Sequence, residues 1–180
     1  MSQHPTGYSA VARLLHWATA LVILGLTGLG WWMVGLSYYD AWYNRGLDLH
    51  KSFGIIAFVL AVAFIIRKLI GQAPAPAPPL TKLERIGAKS AHGMLFILML
   101  LMPVSGYLIS TSSGDGIDVF GVFTLPALLQ IDKQARDLAI DVHYWLAYIG
   151  LGIIAVHGLA AIKHHVVNKD RTLMRMLSGR

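Results

Sequence analysis

Apolar residues run almost without interruption through four stretches of this chain, at about residues 10–36, 46–70, 90–110 and 138–162. Each meets the roughly 20 residues that a helix needs to cross about 30 Å of hydrocarbon. None alternates with the period of two that a half-buried strand shows. The pattern predicts an all-α fold, an integral membrane four-helix bundle forming a single domain over residues 1–180. The second connection, "GQAPAPAPPLTKLERIGAKS", opens with a Pro-Ala run that cannot be helix interior and reads as a stiff extended linker. The third, "TSSGDGIDVFGVFTLPALLQIDKQARDLAID", mixes glycine turns with apolar residues. It is expected to fold back over the bundle end as short amphipathic pieces.

Composition strengthens the membrane reading. The chain is 56% hydrophobic and 13% charged, against about 45–50% and 25% for soluble domains. No cleavable leader is expected, because the first apolar stretch starts late and exceeds the about 7–15 residues of a signal sequence. There is no cysteine, which excludes thiolate iron–sulfur clusters, covalently attached haem and disulfides. Eight histidines and seven methionines remain as soft or borderline ligands.

The net charge of +6 would suit nucleic acid if it were spread evenly. It is not. One side of the four spans holds Arg13, Arg67, Lys68, Lys82, Arg85, Lys89, Lys163, Lys169, Arg171, Arg175 and Arg180. The other holds only Arg45, Lys51, Lys133 and Arg136, with Asp40, Asp48, Asp115, Asp118, Asp132, Asp137 and Asp141. Basic residues gather on the cytoplasmic side of membrane proteins, so both termini are expected there. The surplus is topological. Lipid, and not nucleic acid, is the expected surrounding. Trp31, Trp32, Tyr38, Tyr39, Trp42 and Tyr43 cluster at the far end of the first span, as an interfacial belt does.

Against this apolar background the histidines stand out. His143 and His157 lie fourteen residues apart in the last span. That is close to four turns, or about 21 Å, so both imidazoles leave the same helix face near opposite ends. An ionisable group inside a span is costly and usually functional. His50 lies level with His143; His16 and His92 lie level with His157. Two layers of facing imidazoles in a four-helix bundle are a frame for two haem b groups stacked across the membrane. Depth does not separate His16 from His92, since each follows a cation by three residues, and both remain partners open to His157. Taken singly, an intramembrane histidine is more often a hydrogen-bonded interior residue. Glycines 25, 28, 30, 54, 93, 106, 150, 152 and 158 would leave space for a flat macrocycle, or serve as ordinary small-residue helix contacts. His4 sits in a polar tail. His164 and His165 flank the basic interface, where headgroup contact and a quinone role are both open.

"YSAVARLLHW", "LHKSFG", "AHGMLFILMLLMPVSGYL" and "HYWLAYIGLGIIAVHGLAAIKHH", followed by "DRTLMRML", resemble the bacterial cytochrome b561 family in order, spacing and loop length over nearly the whole chain. The resemblance implies two haem b groups, with axial ligand pairs His16–His157 and His50–His143, and makes His92 a non-ligand. It implies electron exchange with ubiquinone in the bacterial inner membrane. Some members oxidise superoxide at the outer face, and others carry haem for a partner dehydrogenase or hydrogenase. With four cations against seven acids, the outer side offers an anionic substrate no net attraction. Arg13, one turn before His16, and Lys51, beside His50, are candidates for haem propionates, or else interfacial anchors. Lys163, His164 and His92 are the candidate quinone site, because a reduced quinone oxygen needs hydrogen-bond donors and a proton source. A reading from another class is a metal-ion transporter with histidine sites. The scarcity of intramembrane carboxylates weighs against it.

Overall fold

The computed structural model describes residues 7–71, 74 and 80–179. His4, most of the Pro-Ala run and Arg180 lie outside the described residues. Four long helices make up the body: α1 (Ala10–Met33), α2 (Tyr43–Ile70), α3 (Lys82–Thr111) and α4 (Lys133–Val166). All four are long and apolar enough to cross a membrane. A hairpin of β1 (Ile117–Val119) and β2 (Phe123–Leu125) joins α3 to α4, and a short α5 (Thr172–Leu177) follows α4.

The helices outrun the apolar stretches because their caps are polar. Thr81 and Glu84 form a reciprocal capping box that starts α3 well before residue 90. Asp132 accepts from the Ala135 N–H at 2.8 Å and starts α4 before residue 138. At the other extreme α1 stops short of residue 36. The Gly35 and Leu36 amides turn back to the Trp32 and Met33 carbonyls, at 3.2 and 3.1 Å.

The packing inverts that of a soluble bundle. Apart from Leu98, the buried positions of the four spanning helices are small: Thr19, Gly46, Ser52, Ala57, Ala61, Ser105, Thr111, Ala139 and Gly150. Large side chains such as Leu14, Leu21, Val59, Leu101 and Leu159 are exposed. Small residues let helix backbones approach, and acyl chains solvate the rest. The close helix pairings are α1 with α2, α2 with α3, and α3 with α4. Among the described residues α4 does not pack closely on α1 or α2. It faces them across side chains.

The two ends differ. At the acidic end the hairpin lies against α2: the Phe120 amide donates to Ser52 Oγ at 3.1 Å, and the Phe53 and Phe120 rings meet edge-on at 5.2 Å. This is how the third connection covers the bundle end, as paired strands with Ile117 and Val119 buried beneath. Phe120 (φ 53°) and Gly121 (φ 70°) form the turn. Left-handed backbone at Phe120 costs about 1–3 kcal/mol, offset by the Ser52 bond and by the Asp118 carboxylate accepting from the Gly121 N–H. At the basic end α5 folds under α1. Arg13 Nη1 donates to the Leu177 carbonyl at 2.9 Å, and Trp17 Nε1 to the Met176 carbonyl at 3.1 Å.

Candidate functional site

Helix α4 presents His143 and His157 to its neighbours at two levels, and each meets another imidazole. The His50 and His143 ring centres are 6.2 Å apart. The His16 and His157 centres are 6.3 Å apart. A metal held linearly between two imidazoles, at about 2.0–2.1 Å from each nitrogen, sets ring centres roughly 6 Å apart. His92 also meets His157, but at 5.2 Å, nearer than that span allows. The three basic-end imidazoles do not form a shell. Among the described residues, no group of three or more His, Asp or Glu is arranged to hold a metal ion.

At the acidic-end pair the tautomer follows from hydrogen bonding. Ser105 Oγ donates its single proton to the Met102 carbonyl at 2.9 Å. It therefore accepts from His143 Nδ1–H, also at 2.9 Å. Nε2 of His143 is left with its lone pair, as an axial ligand requires. Glycine makes room for both rings. A Cβ on Gly30 would lie 3.1 Å from His50 Cε1, and one on Gly106 would lie 3.2 Å from His143 Cε1. By contrast, a Cβ on Gly25, Gly28, Gly54, Gly93, Gly152 or Gly158 would meet nothing within 4 Å.

Three buried polar atoms have no partner among the described residues: His50 Nδ1, Arg13 Nε and Thr19 Oγ1. A buried polar atom without a partner is costly. Arg13 and Thr19 lie one turn either side of His16, on its face of α1. Two imidazole pairs at metal-spanning distance, flanked by orphaned donors, fit a haem-like group between α4 and α1–α2.

The remaining candidates are placed as follows. Lys51 pairs with Asp48 at 3.2 Å. Lys163 pairs with Glu84 at 2.7 Å. His164 pairs with Asp170 at 2.5 Å, and both side chains are nearly buried. Burial acts to raise the Asp170 carboxyl, but hydrogen bonds with Thr172 and His164 outweigh it and leave it below the ordinary carboxylate value. Lys163 and His164 are thus each held by a carboxylate, while His92 alone of the three touches the His157 ring. Sequence reasoning passed over Ser105, Thr19 and a cavity of about 300 Å³ at the acidic end. The cavity lies between α2 and the hairpin turn, lined by Trp42, Arg45, Asp48, Leu49, Ser52 and Phe120 among others.

Comparison with known proteins agrees with this geometry. The family model described as prokaryotic cytochrome b561 matches residues 7–179. "Cytochrome b561 homolog 2" of Escherichia coli K12 is 40% identical over 96% of this chain and 92% of its own length. "Cytochrome b561 homolog 1" of the same organism is 29% identical over 96% and 98%. "Probable superoxide oxidase CybB" of Yersinia pestis is 28% identical over 94% and 95%. The match over nearly the whole chain, on four spanning helices, makes this protein a member of the prokaryotic cytochrome b561 family, a multi-pass membrane electron-transfer protein of the b-haem type.

Proposed function

We propose that the chain is a di-haem b cytochrome of a bacterial inner membrane, termini cytoplasmic, that exchanges electrons with ubiquinone. The observation that carries this is the pair of imidazole pairs on α4, at 6.2 and 6.3 Å. In this reading His50 with His143, and His16 with His157, are the axial ligands. Haem bound there would supply a one-electron carrier at each of two depths. The rest is work for the chain. Ser105 fixes the His143 tautomer. Arg13 and Thr19 offer donors to a haem carboxylate at the basic end, and Lys51 extends a cation at the acidic end. Apolar side chains around both levels exclude water. His92, against His157 but outside the axial pair, delivers a proton to a quinone oxygen. Lys163 and His164 border that region.

The donor is sought at the acidic end, where Arg45 lines the cavity on the helix that carries His50. Superoxide is the donor to try first, given the name of the Yersinia relative.

The test uses purified protein in lipid nanodiscs. It should be red, with about two low-spin haems per chain, and once reduced it should be reoxidised by a short-chain ubiquinone without any partner. Supplying superoxide should then reduce it at the acidic face. A reduced protein that ubiquinone leaves reduced, but that a co-purifying dehydrogenase or hydrogenase turns over, would make it a relay subunit. Colourless folded protein from haem-replete cells would return the metal-ion transporter reading.

Ser105→Ala should be the sensitive variant at the acidic-end pair. Partners of this kind typically change metal affinity or activity about 10–100-fold when removed. The expected result is faster loss of one haem on gel filtration and a shifted potential for that haem alone. Equal behaviour of both haems would remove Ser105 from the site.

A further inference from the structure

We infer that the groove between α1 and α2 at the basic end binds the phosphate headgroup of an anionic phospholipid, through Arg67 and Lys68. The groove has a volume of about 120 Å³, and its lining includes Tyr8, Ser9, Leu15, Phe64, Arg67 and Lys68. That is below the about 300–1,000 Å³ of sites that enclose a small molecule. It suits a headgroup whose remainder lies in the bilayer.

The polarity of the groove changes with depth. Arg67 and Ser9 form its rim at the helix ends, and the Lys68 side chain reaches inward from there to the Phe96 ring beside Phe64. Phe64 lies about one turn deeper along α2, and Leu15 about 9 Å deeper than Ser9 along α1. A charged rim over an apolar floor matches the boundary between headgroup and acyl chain.

The two cations are held in place but not neutralised. Arg67 Nη2 donates to Ser9 Oγ at 3.2 Å. Its guanidinium folds back over Gly71, filling the space where a side chain at that residue would sit. Lys68 Nζ rests on the Phe96 ring, 3.7 Å from its centre. Neither cation is in an ion pair among the described residues, and the two carboxylates at this end, Glu84 and Asp170, are taken by Lys163 and His164. Basic pockets between spanning helices are where anionic headgroups dock.

The experiment compares phosphatidylglycerol, phosphatidylcholine and inorganic phosphate as probes of the full-length haem-loaded protein in detergent. Native mass spectrometry counts retained lipid, and thermal unfolding gives an apparent affinity. Phosphatidylglycerol should be retained and stabilising, weakening with added salt. Phosphatidylcholine should not be retained. R67Q/K68Q should lose at least tenfold in apparent affinity for phosphatidylglycerol. K82Q/R85Q, with the same charge change at the start of α3, should keep it. The haem spectrum reports whether each variant is folded. If R67Q/K68Q does not fold, the comparison of the two lipids on the unmodified protein still decides. Equal retention of both lipids overturns the proposal. So does equal loss in the two double variants. Equal stabilisation by inorganic phosphate would make this an anion site and not a lipid site. Displacement of phosphatidylglycerol by a short-chain ubiquinone at matched concentration would hand the groove to quinone.

Discussion

Replacing His143 by alanine should leave the purified protein with about one haem per chain, and replacing His157 should remove the other. The two variants should differ in the potential and spectrum of the haem that stays. The reason is the rod that carries both side chains. His143 and His157 project from the same helix, but their partners belong to different helices: His50 to α2 and His16 to α1. His50→Ala should therefore reproduce the His143→Ala spectrum, and His16→Ala that of His157→Ala. His92→Ala should keep both haems, since its ring stands 5.2 Å from His157, inside the span of a shared metal. It should instead slow reoxidation by ubiquinone. Loss of the basic-end haem in His92→Ala, with its retention in His16→Ala, would reverse the ligand assignment.

Gly106→Val and Gly30→Val should each lower occupancy at the His50–His143 level and spare the other level. A Cβ at either position already lies within 3.2 Å of a ring carbon. Alanine there asks the imidazole to give by a few tenths of an ångström. Valine adds carbons beyond that point and turns the ring off its axis. The expected series is graded: near-full occupancy for glycine, a shifted potential for alanine, loss of most of one haem for valine. Gly87→Ala is the control. Nothing lies within 4 Å of its Cβ, and in a helix the change favours stability by up to about 1 kcal/mol. If valine at residue 106 leaves the spectrum unchanged, the ring is not confined as described.

The four spans were legible because membrane crossing demands a long apolar run and little else. Helix ends were less so. Thr81 and Glu84 start α3 inside a polar connection that hydropathy alone assigns to the linker. The hairpin was hidden for a different reason: "IDV" and "FTL" are three residues each, too short to show a period, and depend on Ser52 of α2 to hold the turn. The pairing of His143 with His50 followed from depth and helix periodicity. The rival claims of His16 and His92 did not, because depth fixes a level but not the rotation of each helix about its axis. The contacts of Ser105 and Lys68 were not legible on the same ground: they depend on which neighbour each side chain faces. The carboxylate partners of Lys163 and His164 cannot be read from spacing. Glu84 is 79 residues away, and Asp170 is reached only by the turn that follows α4.

The bonds from Arg13 and Trp17 to the carbonyls of Leu177 and Met176 join residues 164 and 159 positions apart. During synthesis at about 5–20 residues per second, α1 enters the bilayer on the order of ten seconds or more before α5 exists. The contacts at the basic end therefore close last: nothing made before Met176 and Leu177 supplies the carbonyls to which Arg13 and Trp17 donate.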